Sequence, residues 1–187
     1  MSTSMSVIKR LIVASLFLAL CVVLPLLLHS IPNSGSILLP MHIPVLLCGL
    51  ICGWPFGLAC GALAPVLSSL ITGMPPMAYL PSMLFELAAY GLVSGLMMKF
   101  IRTGKTLWDV VISLVTAMFA GRVVFGALNA LIFSAGEYSF AVWLGGAFVT
   151  ALPGIAIQIV LIPILVFALE RAKLIPRRYT DKAQARG

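Results

Sequence analysis

Charge is scarce in this chain. Only 9% of its 187 residues are Asp, Glu, Lys or Arg, only five are acidic, and 61% are hydrophobic. That is too little polar surface to clothe a soluble globule, so the composition describes an integral membrane protein of one domain. Cysteine is sparse as well. Cys21, Cys48, Cys52 and Cys60 all lie within apolar runs, where no disulfide framework is expected. Cys48-x-x-x-Cys52 is a helical i, i+4 pair without His or carboxylate neighbours, which reads as small packing residues rather than a metal site.

Signatures of catalysis are missing too. Gly104-Lys105-Thr106 has the ending of a phosphate loop, but Lys99 stands where that motif needs glycine and no strand precedes it. There is no His-Glu-x-x-His metal motif, and no Ser or Cys nucleophile sits at a recognisable spacing from a His base. The expectation is a chain that is not an enzyme and holds no cofactor or metal. Energy for uphill transport would have to come from another chain or from an ion gradient.

What the sequence has in abundance is long apolar runs. They predict an all-α protein of six membrane spans in one compact bundle, over residues 10–29, 41–53, 55–72, 80–101, 107–134 and 141–170, with a basic tail at 171–187. The stretch Leu39–Pro76 organises the rest. Its glycines Gly49, Gly53, Gly57 and Gly61 recur at i, i+4 steps that let helix backbones approach closely where lipid offers no hydrophobic drive. Trp54-Pro55 interrupts this ladder, because proline removes a helix donor, so two spans joined by a tight turn are expected. The first, residues 41–53, is short for a hydrocarbon core that takes ~20 helical residues, and must be shielded by neighbours. At the N-terminus, Lys9-Arg10 ahead of Leu11–Leu28 looks like a secretion signal. The run is longer than a usual signal core and no Ala-x-Ala site follows, so a retained first helix is expected.

The net charge of +7 falls into place once the basic residues are located. Lys9 and Arg10 precede the first span; Lys99, Arg102 and Lys105 fall between the fourth and fifth; Arg171, Lys173, Arg177, Arg178, Lys182 and Arg186 follow the sixth. Eleven of the twelve therefore share one side of a six-span protein with both termini in the cytoplasm, as short retained loops require, and nucleic acid is not needed to explain them. The twelfth, Arg122, lies inside a span.

An intramembrane charge costs of order 2.5–3.5 kcal/mol and so marks a candidate functional site. There are two here. At 1.5 Å per residue, Glu86 lies roughly 9 Å from the outer end of its span and Arg122 roughly 18 Å from the outer end of its own, a gap the arginine stem can reach across. They either pair to hold two helices together or line a cavity, and the two roles overlap. Helical periodicity sets Tyr79, Met83, Glu86 and Tyr90 on one face of span four; Arg122, Gly126, Asn129 and Phe133 on one face of span five; and Trp143, Ala147, Thr150, Gly154 and Gln158 on one face of span six. Turned toward one another, these faces predict a pocket open to the outside, with rings to stack on and a few placed polar groups. A polar stripe can instead be interhelical glue. His29 and His42 border the outer surface as interfacial residues; His42, fixed between Pro40 and Pro44, is the better candidate for a ligand contact.

Pro40-Met41-His42-Ile43-Pro44, the glycine-rich stretch ending at Gly73-Met74-Pro75-Pro76, and Phe85-Glu86-Leu87-Ala88-Ala89-Tyr90-Gly91 resemble the substrate-binding S components of energy-coupling factor (ECF) vitamin transporters. The resemblance covers most of the chain. It implies a subunit in the plasma membrane of a prokaryote that binds a small vitamin or vitamin precursor from outside. It also implies a transmembrane coupling subunit and two cytoplasmic ATPase subunits as partners, a first outer loop that acts as a lid, and delivery by toppling of the whole subunit. Docking in that family uses an Ala-x-x-x-Ala patch on the first helix; here Ser15 and Ala19 keep the small-residue spacing, with serine in place of the first alanine. Tyr79, Tyr90, Trp143, Glu86, Arg122 and Asn129 suit an aromatic heterocycle with hydrogen-bonding or ionic groups. A pyridoxine-type or pyrimidine-type compound is the expected ligand, with folate, riboflavin, pantothenate and cobalamin left open. Two rival readings are a small proton- or ion-coupled carrier using Glu86 as relay, and a membrane enzyme, which the absent catalytic set disfavours.

Overall fold

A computed structural model describes residues 5–28, 33–133 and 138–179. Among these the chain is all-helical: α1 (Val7–Leu27), α2 (Ser34–Leu38), α3 (His42–Cys52), α4 (Trp54–Thr72), α5 (Leu80–Phe100), α6 (Thr106–Leu128), α7 (Phe140–Leu144) and α8 (Leu152–Arg171). A π turn, Asn129–Phe133, extends α6, and a second, Gly145–Thr150, follows α7. Six stretches are long and apolar enough to cross a membrane, counting Gly35–Cys52 as one.

Local chemistry sets the ends of these helices. The Ser6 hydroxyl accepts the Lys9 N–H at 3.3 Å and starts α1, satisfying one of the donors that a helix N-terminus leaves open. Gly53 alone joins α3 to α4, at φ +94°, where L side chains are strained, and Pro55 then sits in the first turn of α4, where its missing N–H costs nothing. The break predicted at Trp54-Pro55 is thus made one residue earlier. Gly73, left-handed at φ +72°, ends α4 by donating to the Ser69 carbonyl at 2.9 Å.

The short third helix solves its length problem from inside the bundle. Nine of the eleven residues of α3 are buried, so its polar backbone ends are covered by protein rather than lipid. It packs on α1, α4, α5, α6 and α8. Where α3, α4 and α5 meet, backbone touches backbone. A Cβ on Gly57 would lie 2.3 Å from the Gly91 carbonyl oxygen, and one on Gly91 only 2.0 Å from that of Gly57. Gly49 and Gly61 meet Gly91 and Leu87 carbonyls at similar range. The ladder read in α3 and α4 therefore has a counterpart on α5.

The sixth apolar run, expected as one helix over residues 141–170, is instead α7, a π turn and α8, broken at Ala151 with Pro153 in the first turn of α8. A π turn widens each step from i+4 to i+5, and the proline cannot donate to the preceding turn.

At the end of the bundle that carries the basic residues, the fully buried Asp109 carboxylate gathers donors. The Thr103 N–H and hydroxyl and the Tyr179 hydroxyl each reach it at 2.7 Å, and the Arg178 guanidinium pairs with it while also donating to the Ile101 carbonyl. These bonds clasp the segment after α8 to the α5–α6 connection. Asp109→Ala is expected to release that segment, leaving Arg178 without its anion, so that limited trypsin digestion cuts after Arg177 or Arg178 several times faster than in the wild type. Equal cutting rates would mean that the clasp does not hold the segment in place.

Candidate functional site

Glu86, one turn from Tyr90 and Ser82 on the inward face of α5, is the hub of a polar cluster in the half of the bundle opposite the basic end. Its side chain is buried, and its Oε1 lies 3.0 Å from Arg122 Nη1 of α6. The Tyr90 hydroxyl donates to the same oxygen at 3.1 Å. His42, at the start of α3, brings Nε2 to 3.8 Å from it, near but beyond hydrogen-bond distance, and packs edge to face on the Tyr90 ring with centroids 5.1 Å apart. Gly121 makes room for this arrangement, because a Cβ there would strike the Tyr90 ring at 2.6 Å.

Glu86 and Arg122 meet without a long reach. Glu86 is six residues in from Leu80, and Arg122 is six residues in from Leu128, where the regular part of α6 ends and the π turn begins. The depth difference expected from a single helix ending at residue 134 does not arise.

A second polar group lies toward the helix ends. Asn129 Oδ1 accepts from the Ser82 hydroxyl at 3.1 Å, and its Nδ2 donates to the Phe125 carbonyl at 2.8 Å. The Trp143 indole N–H donates to the carbonyl of Arg122 at 3.0 Å, with the ring against Gly126 and flanked by Phe140 and Phe148 at 5.5 and 5.4 Å. Gly154 of α8 seats α2, where a Cβ would meet the Ile37 carbonyl at 2.6 Å; one turn deeper, Gln158 is buried. Glu86, Arg122, Tyr90 and His42 are all buried, and α3 contributes to the cluster through His42, beyond the last three spans among which a pocket was expected.

Nine residues were expected at this site. Glu86, Arg122, Tyr90 and His42 come together; Asn129, Trp143 and Gln158 are at least partly buried on the helices around them. Tyr79 and Thr150 do not join them. Tyr79 precedes the first turn of α5 and is 61% exposed. Thr150 is exposed because the π turn shifts the register: Ala147, Gly154 and Gln158 stay buried while Thr150 swings out. The side chain of Phe133, together with His29, lies outside the described residues.

Two neighbours escaped the reading of the sequence. Ser82 could have been found as the residue one turn before Glu86 on the same face. Tyr138, half-buried in the α6–α7 connection, had no periodicity to reveal it. Burial and the Glu86 carboxylate push its phenol above the ordinary range, against the opposing pull of Arg122.

The charges of Glu86 and Arg122 balance, and polar nitrogens around them are left unpartnered. Arg122 Nη2, Gln158 Nε2 and both ring nitrogens of His42 are buried without a hydrogen-bond partner. Such orphans are costly, and since a neutral imidazole donates through one nitrogen and accepts through the other, the arrangement suits a polar ligand that brings acceptors to Arg122 and Gln158 and can both accept from and donate to His42. Among the described residues no group of three or more His, Cys, Asp or Glu is placed to hold a metal ion, and all four cysteines are free and buried.

No curated protein and no solved structure matches the chain. The family model described as the substrate-specific component of the ECF transporter, however, matches residues 9–166, which reaches into all six spans and takes in every residue of the buried cluster. By that match this six-span membrane protein belongs to the substrate-specific components of ECF transporters, as substrate-binding transport subunits rather than enzymes.

Proposed function

We propose that the chain captures a small vitamin or vitamin precursor from outside the cell at the Glu86–Arg122 cluster, and passes it inward with a transmembrane coupling subunit and two cytoplasmic ATPases. The buried, charge-balanced pair, with unpartnered nitrogens on Arg122 and on the adjoining His42, carries this reading. A scaffold that only tied helices together would have no use for unmet buried nitrogens on Arg122 and His42 beside the pair. The Tyr90 ring beside His42 and the Trp143 ring bonded to the Arg122 backbone add aromatic surface to the site, which suits a pyridoxine-type or pyrimidine-type heterocycle.

Orientation follows from charge. With the basic end in the cytoplasm and both termini there, the cluster faces the outside of a prokaryotic plasma membrane. Docking to the coupling subunit would use α1, whose Ser15 and Ala19 are exposed among Ile8, Ile12 and Leu16 while Phe17 and Cys21 turn inward.

The buried Glu86 also supports a second reading, a lone proton- or ion-coupled carrier. Two measurements separate them. Mass spectrometry of the small molecule that co-purifies with the chain identifies the ligand. Uptake of that molecule is then followed in proteoliposomes. The first reading expects no uptake by the chain alone and ATP-dependent uptake once the coupling subunit and ATPases are added; gradient-driven uptake by the chain alone would overturn it.

A further inference from the structure

At the basic end of the bundle, the first turn of α1, the last turns of α3 and α5, and the segment after α8 line two open-sided cavities of about 450 and 320 Å3. They adjoin, sharing Met5, Glu170, Ile175, Pro176 and Arg177 as walls. Their charge is lopsided. Lys9 and Lys173 line the larger, Arg10 and Arg102 the smaller, and Glu170 is the one carboxylate that lines either. Arg178 also borders the smaller cavity, but its guanidinium is already matched by Asp109. Among the described residues Lys9, Arg10, Arg102 and Lys173 have no such partner, and the buried Arg10 Nε has no hydrogen-bond acceptor. A desolvated guanidinium nitrogen without an acceptor is a standing cost that an anion removes.

Leu50, Ile51, Met98 and Val166 make the remaining wall of the smaller cavity apolar. Its place in the bilayer is equally telling. Arg10 is in the first turns of α1 and Arg102 lies just past the end of α5, so the cations stand at the level of the helix ends, where lipid headgroups lie. We infer that this cavity pair is a binding site for the headgroup of an anionic phospholipid, its phosphate held by Arg10 and Arg102 and its apolar part along the α3 and α5 wall. Basic pockets between spans at a membrane surface recognise lipid headgroups in this way, and arginine does so with paired, directional donors. A small soluble anion would use the charge and leave the apolar wall without a purpose. The Asp109 clasp holds the wall formed by residues 175–179 in place, so the site is built into the fold.

The test uses the full chain in detergent, with phosphatidylglycerol or phosphatidylcholine added at equal mole fraction and adducts counted by native mass spectrometry. Phosphatidylglycerol should be retained about tenfold more than phosphatidylcholine, and the Arg10→Gln/Arg102→Gln variant should lose that preference. The Lys9→Gln/Lys173→Gln variant alters exposed side chains only, so it should fold and show a smaller loss in the same direction. Equal retention of the two lipids, or an unchanged preference in both variants, would overturn the assignment. So would displacement of phosphatidylglycerol by inorganic phosphate at matching concentration, which would make the cavity a free-anion site.

Discussion

Glu86→Ala is expected to lower the stability of the chain by about 3 kcal/mol or more, read as a fall of roughly 10 °C in the apparent unfolding temperature in detergent. The reason is what the substitution leaves behind. Arg122 would keep its burial, lose the Glu86 carboxylate it pairs with, and already has one terminal nitrogen without a partner among the described residues. The Tyr90 hydroxyl would lose its acceptor as well. Removing one member of a buried ion pair costs far more than removing both, because the penalty lies in the stranded charge rather than in the lost attraction. The Glu86→Met/Arg122→Met pair should therefore recover most of the loss while abolishing the site. If the double variant is as unstable as the single one, the two side chains are not coupled and the cluster as described is wrong.

Gly91→Ala carries the second large effect, and its origin is steric. The added methyl carbon would lie 2.0 Å from the Gly57 carbonyl oxygen and 3.0 Å from its Cα, all backbone that has no rotamer to change. Helices α4 and α5 would have to separate along their closest contact, and the displacement would spread to α3 through Gly49, which meets the same Gly91 carbonyl. Overpacking of a well-filled interior costs typically 1–3 kcal/mol, and a backbone clash belongs at the upper end. The gain of about 1 kcal/mol in helix propensity offsets only part of it. Gly145→Ala is the internal control: nothing lies within 4 Å of its added carbon, and it should be neutral or mildly stabilising. Equal thermal stability of the two variants would show that α4 and α5 do not approach as closely as this.

How far the sequence could be read depended on which rule governed each segment. Hydropathy and the placement of lysine and arginine respond to the bilayer, an environment that acts on every residue alike. The six apolar stretches and the burial of the short α3 followed from them. Close approach at Gly49, Gly57 and Gly61 was visible as spacing, but their partners Gly91 and Leu87 were not, because spacing on one helix says nothing of which helix it meets. The site divided in the same way. Glu86 and Arg122 stood out because charge in a span is expensive, and Tyr90 followed from a regular helical repeat. Thr150 was misplaced because a π turn has no sequence mark strong enough to announce a change of period. Tyr79 was misplaced because it precedes its helix by one residue. Asp109 passed unnoticed as an ordinary first-turn acid, and only the return of Arg178 and Tyr179 from the far end of the chain gives it a role.

The reading as a ligand-capturing subunit is tested most directly by calorimetric titration of the molecule that co-purifies with the chain into three purified proteins: wild type, Glu86→Gln and Arg122→Met. Glu86→Gln keeps the size of the side chain, so losses in it reflect charge and hydrogen bonding. The account predicts tight one-to-one binding to the wild type and a loss of about tenfold or more in each variant, the size expected when a hydrogen bond to a charged group is removed in a buried site. Wild-type affinity in both variants would contradict it and leave Glu86 and Arg122 as a strut between α5 and α6.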